Sequence, residues 1–323
     1  MAEHDPRERL PWIALAWASG MTPAAFWRVL QQEGVASAAL GRPAAELTEP
    51  PARLQPEVAE AVEAAEGALA EVEETLLRLE ENGVQVLCAC EPGFPARLRE
   101  AQPMPPVLSV WGGLRAEDEP AVSIIGTRSA SADGLRMACE LAAAFVREGL
   151  TVVSGLARGC DTAAHVGALD AGGRTMAVLG CGINVCHPSE NAPLAHRIAA
   201  AGAVLSEQAP ETRPNVGRLM ARNRLQSALS NAVVVVEAGT EGGSHETAAV
   251  ARRQGRLVVG VEWPPSDRPE RAGVAQLLAA GALPVRGPED VPDLAARVRE
   301  HLSRPRGRRP RGGEQAQLAL WEE

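Results

Sequence analysis

The sequence predicts an α/β protein, a Rossmann-like, doubly wound and mostly parallel sheet, accompanied by a small helical N-terminal domain. Two observations predict it. Beyond residue 82, apolar runs of strand length alternate with segments of helical periodicity, and "VVVVE" (233–237) and "LVVGV" (257–261) are almost continuously apolar, as strands covered on both faces require. Four strand ends also break into glycine-rich turns that open helices: "IIGTRS", "VVSGLARGCDTAAH", "VLGCGINVCHP" and "VEAGTEGGSHETA". Doubly wound sheets bind ligands at such carboxyl ends.

Taken in order, residues 10–80 read as helical. Thr22-Pro23 is an N-cap with proline at the first helical position, and Gly34 is a stop. Trp12, Trp17, Phe26 and Trp27 fall at helical spacing and are read as core. These features place a helical domain over 1–81, and it resembles SAM/helix-hairpin-helix modules. A Pro-rich bridge, "EPGFPARLREAQPMPPVLSVWGG", leads into the Rossmann-like domain, 82–290. Strands are expected near 84–88, 107–110, 121–125, 151–154, 175–179, 203–206, 233–237 and 257–261. Helices are expected near 133–148, 162–171, 191–201, 217–230 and 244–254. Residues 291–323 are expected to be a short helix and a flexible Arg-rich tail, with five arginines between 304 and 311.

The chain has 323 residues, 46% of them hydrophobic, enough for one large domain and a smaller one. Its net charge of −9 is unevenly spread. Residues 1–119 hold 9 Arg against 20 acidic residues, whereas 120–263 hold 13 against 12, so an anion site in the middle must come from local clustering. All 32 basic residues are arginine. The six cysteines form no CxxC pair and are read as reduced, buried small residues. No apolar stretch approaches the roughly 18 residues of a membrane span, and the start lacks the order of a signal peptide, so a cytoplasmic location is expected.

Arg128 in "GTRS" sits where a strand-to-helix turn presents free N–H groups, a place where a cation faces an anion. Arg158, Arg222 and Arg224 add counter-charge, and Asn223 is placed to read a base edge or to cap backbone. Ser154, Asp161 and Ser244 are caps or donors at the turns. No GxGxxG stands in the dinucleotide position, and a chain without lysine has no P-loop, so no nucleotide cofactor is assigned. His165 and His187 have no nucleophile at suitable spacing, and His187 with Cys181 and Cys186 lacks a fourth ligand. Neither a catalytic residue nor a metal is assigned.

The segments "SIIGTRSASADG", "GLTVVSGLARGCDTAAHVGAL", "GGRTMAVLGCGINVCHPSEN", "VLSEQ" and "RNRLQSALSNAVVVVEA" resemble, in order and spacing, the DNA-processing protein A (DprA/Smf) family, from about Phe94 to Trp263. The resemblance implies a Rossmann-like protein that binds single-stranded DNA, forms a homodimer and assists RecA loading in natural transformation, without being an enzyme. Carried over by motif, its DNA groove comprises Gly126, Thr127, Arg128, Ser154, Gly155, Arg158, Gly159, Arg222, Asn223, Arg224, Gly243 and Ser244, with Arg128 and Arg222 as phosphate ligands rather than fold determinants. Three departures stand out. Arg218-Leu219-Met220 replaces the family's Asn-Phe-Pro, His245-Glu246 places a carboxylate where an apolar residue is usual, and the C-terminal winged helix is not recognisable. "AGTEGGSHE" is also similar to LOG-type nucleotide phosphoribohydrolases, in which Arg222 and Glu246 would be the cleaving pair. A nucleotide-sensing module is a third reading. In the tail, Gln317, Leu318, Leu320 and Trp321 resemble peptides that dock on the DNA polymerase sliding clamp.

Overall fold

In the computed structural model, which describes residues 5–50 and 53–303, the N-terminal signals act as the spacing predicts. The helices are α1 (Arg9–Trp17), α2 (Pro23–Glu33), α3 (Ala36–Ala39), α4 (Ala44–Thr48), α5 (Pro56–Gly67) and α6 (Leu69–Glu81), followed by β1 (Val84–Cys88). Thr22 caps α2 by accepting from the Ala25 N–H at 3.2 Å, and Gly34 ends it at φ 81°. Trp12, Phe26 and Trp27 pack together with ring centroids 4.9–5.6 Å apart. Both indoles are also satisfied from within the chain. Trp12 Nε1 donates to the Pro106 carbonyl at 2.8 Å and Trp27 Nε1 to that of Met104 at 2.7 Å, as buried indoles require. These rings are core, and none is left to stack on a ligand.

Of the described residues, those up to Arg99 with Pro103–Ser109 make one compact unit; Glu100–Gln102 with Val110 onward make the other. Strand β2 (Val107–Gly112) runs across the division. The second unit holds β3 (Ala121–Ile125), α7 (Ala132–Arg147), β4 (Thr151–Ser154), α8 (Cys160–Asp170), β5 (Thr175–Val178), α9 (Ala192–Ala201) and β6 (Ala203–Ser206). It continues with α10 (Val216–Ala221), α11 (Asn223–Leu229), β7 (Ala232–Val235), α12 (Gly243–Arg253), β8 (Leu257–Val261), α13 (Pro269–Ala279), β9 (Leu283–Val285) and α14 (Val291–Ser303).

Within that unit the strand order is β6-β5-β4-β3-β7-β8-β9, every pair parallel. Alternate residues feed opposite faces. Val122, Ile124 and Val234 pack with Leu141, Phe145 and Leu294 of α7 and α14, while Val233 and Val235 pack with Ala248, Ala251, Val274 and Leu277 of α12 and α13. Both faces being covered, the strands can be apolar throughout, which is the pattern that the sequence displays. The doubly wound α/β class is therefore observed.

Three local features differ from expectation. The helix expected over 217–230 is two short helices meeting at Arg222, where the Leu225 N–H bonds the Arg222 carbonyl at 2.8 Å and the ladder tightens to three-residue spacing. Helix α13 and strand β9 had no counterpart among the expected elements, because Pro, Asp and Arg surround Pro269 and the three residues of β9 are too few to show a period. Among the described residues no helix is long and apolar enough to cross a membrane. The tail residues Gln317, Leu318, Leu320 and Trp321 lie outside the described residues.

Candidate nucleic-acid interface

After β3 the chain leaves toward β4, whereas after β7 it leaves toward β8 on the other side; the adjacent pair β3 and β7 is thus the point where the winding reverses. A crevice opens at the carboxyl ends of two such strands because their following loops diverge. Here it is a cleft of about 410 Å³, lined from β3 by Ile125, Gly126, Thr127 and Arg128, and from beyond β7 by Ala238, Gly239, Glu241, Gly243, Ser244 and Thr247. Ala157 and Asp161 reach it from the β4 turn, and Val216, Leu219, Met220, Arg222, Asn223 and Gln226 from α10 and α11.

The β3 turn is held by Glu237, a fully buried carboxylate directly after the β7 run. Its carbonyl accepts from the Thr127 N–H at 2.7 Å, while its carboxylate accepts from the Ser131 N–H (2.8 Å), the Ser131 hydroxyl (2.7 Å) and Arg271 Nε (3.1 Å). Ser131 in turn caps α7 by accepting from the Gly134 N–H at 3.0 Å. Arg271 is fixed by stacking, its guanidinium 4.0 Å from the Trp263 ring centroid. The Glu237 carboxylate therefore ties β7 to α13 and the start of α7, while its carbonyl holds Thr127, next to Arg128. Arg128 itself is exposed and has no ion pair among the described residues.

Arg222 is a different kind of cation. Only 5% exposed, it donates from Nη1 to the Val178 carbonyl at 2.8 Å, and its Nε has no partner among the described residues. Burial lowers its pKa, the nearby Asp161 carboxylate opposes that, and the like charge of Arg128 adds to it. Burial likewise raises the pKa of the Asp161 carboxyl, offset by Arg222 and by the N–H groups of Ala157 and Gly155, which donate to Oδ2 at 3.4 and 3.2 Å. Asp161 thus answers the buried cation. Arg128 has no such carboxylate beside it among the described residues.

Two glycines that the resemblance places in the DNA groove prove to be room for the protein itself. A Cβ on Gly155 would stand 1.6 Å from Arg222 Nη1, and one on Gly159, at φ 79°, would stand 2.3 Å from the Thr127 carbonyl oxygen. Neither lines the cleft. Nor does Ser154, whose buried hydroxyl donates to the Ile124 carbonyl at 2.7 Å. Arg158 is exposed and paired with Glu190. Arg224 is buried, with both terminal nitrogens on the Glu207 carboxylate at 2.7 and 2.5 Å.

Of the candidate residues, the structure therefore brings Gly126, Thr127, Arg128, Arg222, Asn223, Gly243 and Ser244 into one cleft and leaves Ser154, Gly155, Arg158, Gly159 and Arg224 outside its lining. The expectation that Arg222 is no fold determinant is corrected by its burial and its bond to β5. Sequence reading passed over Gln226 and the hub role of Glu237; the carboxylate at the end of an apolar strand was the available signal for the latter.

His165 is buried, and burial together with the Arg222 charge holds its pKa down to about 3. The Thr175 hydroxyl donates to the Val152 carbonyl at 2.9 Å, so at 2.7 Å His165 Nδ1 must be the donor to that hydroxyl. A neutral ring committed in this way is structural. The thiols of Cys181 and Cys186 face the carbonyls of Val185 (3.0 Å) and Pro188 (3.4 Å). Glu246 is exposed on α12 and is not among the cleft-lining residues, so the structure does not gather it with Arg222 in the cleft.

Comparison with known proteins agrees with this architecture. The chain is 38% identical over 207 residues to Protein Smf of Synechocystis, covering 63% of this chain and 52% of that protein. It spans little more than half the length of several curated relatives that it matches. The structure of DNA processing protein A (DprA) from Streptococcus pneumoniae matches with a TM-score of 0.72 and 29% identity, over 88% of this chain and 97% of that one. DNA processing protein A from Helicobacter pylori, solved in a study of its single-stranded DNA binding mode, matches with a TM-score of 0.59 and 26% identity, over 66% of this chain and 96% of that one. The family model for DNA recombination-mediator protein A matches residues 85–296, two-thirds of the chain, and the chain belongs to that family.

Proposed function

We propose that this protein binds single-stranded DNA in the cleft between the β3 and β7 turns, through its phosphates. The carrying observation is Arg128, an exposed arginine without an ion pair among the described residues, in the same cleft as the buried Arg222. A guanidinium suits a phosphate because its donors match two oxygens at once. The family and the described DNA-binding mode of the Helicobacter pylori relative support the reading. Within it, the protein acts without catalysis in DNA uptake and recombination in the cytoplasm, as a homodimer that assists RecA loading, and its tail docks on the sliding clamp.

The test is a titration with single-stranded DNA, duplex DNA and nucleoside monophosphates at two salt concentrations. Single strands are expected to bind tightest and with little sequence preference, log affinity falling with log salt at a slope of about −0.7 per phosphate neutralised. Tightest binding to duplex, or binding indifferent to salt, contradicts the proposal. Preferential binding of the monophosphate would favour a nucleotide-sensing role, and release of its base would favour the hydrolase.

A further inference from the structure

We propose that Cys88 and Cys90 form a peroxide-reactive dithiol, in which Cys90 is the sulfur oxidised first and Cys88 the sulfur that resolves it to an intramolecular disulfide. The pair sits at the end of β1, where the sequence reads "CAC" and the chain bends sharply. The Glu91 N–H bonds the Cys88 carbonyl at 2.9 Å, so Cys88 to Glu91 make one turn. That turn is held from within its own unit. The Glu91 carboxylate accepts from the Cys88 N–H at 2.7 Å and from Arg9 Nε at 3.0 Å, and the Ala89 N–H donates to the Pro106 carbonyl at 2.9 Å. On a chain bent in this way, residues two apart stand closer than the roughly 7 Å of an extended pair, in the range of about 4.4–6.8 Å between Cα atoms that a disulfide spans. The two thiols are already hydrogen-bonded to each other.

The surroundings of the two sulfurs assign their roles. Cys88 is fully buried, and its hydrogen bond to Cys90 together with that burial raises its pKa, so it keeps its proton. Cys90 is half-buried, not the fully buried small residue that the sequence suggests, and a small oxidant can reach it. The Arg99 guanidinium brackets it, donating from Nη1 to the Ala89 carbonyl at 2.5 Å and from Nη2 to the Glu91 carbonyl at 3.2 Å. Burial lowers the pKa of Arg99 and the charge of Cys90 opposes that, so the two are within electrostatic reach. A cation beside a partly exposed thiol favours the thiolate, the form that attacks an electrophile. The chemistry balances with a hydroperoxide alone. The Cys90 sulfur attacks the peroxide, an S–O bond forms as the O–O bond breaks, and one water leaves with the proton that Cys90 gave up. The Cys88 sulfur then attacks the sulfenic acid, an S–S bond forms as the S–O bond breaks, and the departing hydroxide takes the Cys88 proton as a second water. Two thiols are oxidised by two electrons and hydrogen peroxide is reduced by the same two.

The experiment treats the reduced, full-length protein with hydrogen peroxide, blocks the remaining thiols with iodoacetamide and follows tryptic peptides by mass spectrometry. The peptide 79–97 carries both cysteines and no other. In the wild type it is expected to appear unalkylated and lighter by two hydrogens about tenfold sooner than Cys139, Cys160, Cys181 or Cys186 react, and to be restored by dithiothreitol. In Cys90→Ser, a change at a partly exposed position, Cys88 is expected to oxidise about tenfold more slowly. In Cys88→Ser, Cys90 is expected to stop at a sulfenic acid that dimedone traps. A wild-type peptide still alkylated at both positions after the other cysteines have reacted overturns the proposal, and so does a Cys90 sulfinic acid beside an alkylated Cys88. Oxidation of Cys88 at an undiminished rate in Cys90→Ser overturns the assigned order. The wild-type peptide decides the matter even if Cys88→Ser, altered at a buried position, does not fold.

Discussion

Replacing Arg224 by Met is expected to destabilise the second unit by about 3–5 kcal/mol, because it leaves the Glu207 carboxylate buried with its bidentate partner gone. The side chains of the pair are 8% and 2% exposed, so water does not replace the lost bonds. For a unit of this size the loss lowers the melting temperature by on the order of 10 °C. Removing both charges, as Arg224→Met with Glu207→Leu, is expected to restore most of the stability, since a buried pair is not intrinsically more stable than apolar residues of similar volume. Calorimetry of the two variants checks this. If the single variant melts with the wild type, the pair is not buried as described. Single-stranded DNA affinity of the folded Arg224→Met protein is expected to remain near the wild-type value, because that guanidinium already has its anion.

Glu237→Ala is expected to cost about 3–5 kcal/mol as well, for a related reason: the guanidinium of Arg271, 11% exposed, loses the buried carboxylate, and Ser131 loses the acceptor for both its N–H and its hydroxyl. The functional consequence differs from that at Arg224. The Glu237 carboxylate holds Ser131, at the start of α7 and three residues beyond Arg128, so DNA affinity is expected to fall along with stability even though the bond from the Thr127 N–H to the Glu237 carbonyl is kept. Binding measured well below the variant's melting temperature separates the two effects. Stability lost with affinity retained would mean that Glu237 does not position Arg128.

How legible this was follows from the range of each interaction. The strands β3 to β8 are apolar runs whose burial on two faces is written into consecutive residues, and the strand ends at Gly126 and Val235 place the turns of the cleft. Arg128 could be singled out because its surroundings are local, a strand end and a helix start. Arg224 could not be separated from Arg222 and Asn223 by sequence, since its carboxylate partner stands 17 residues earlier, at the end of a different strand. The glycines misled for the same reason: a residue without a Cβ admits whatever lies opposite, and at Gly155 that is the chain's own Arg222. The joint at Arg222 was hidden because both flanking segments are helical and only a bond to β5 marks the residue between them.

The central claim, that Arg128 meets a backbone phosphate of single-stranded DNA, is tested most directly by the salt dependence of binding in the wild type and in Arg128→Ala. Exposed and without an ion pair among the described residues, this arginine can be removed with little effect on thermal unfolding. One lost phosphate contact is expected to weaken binding by about 1–3 kcal/mol and to make the slope of log affinity against log salt shallower by about 0.7. Parallel salt lines for the two proteins, or equal affinities at low salt, would contradict it.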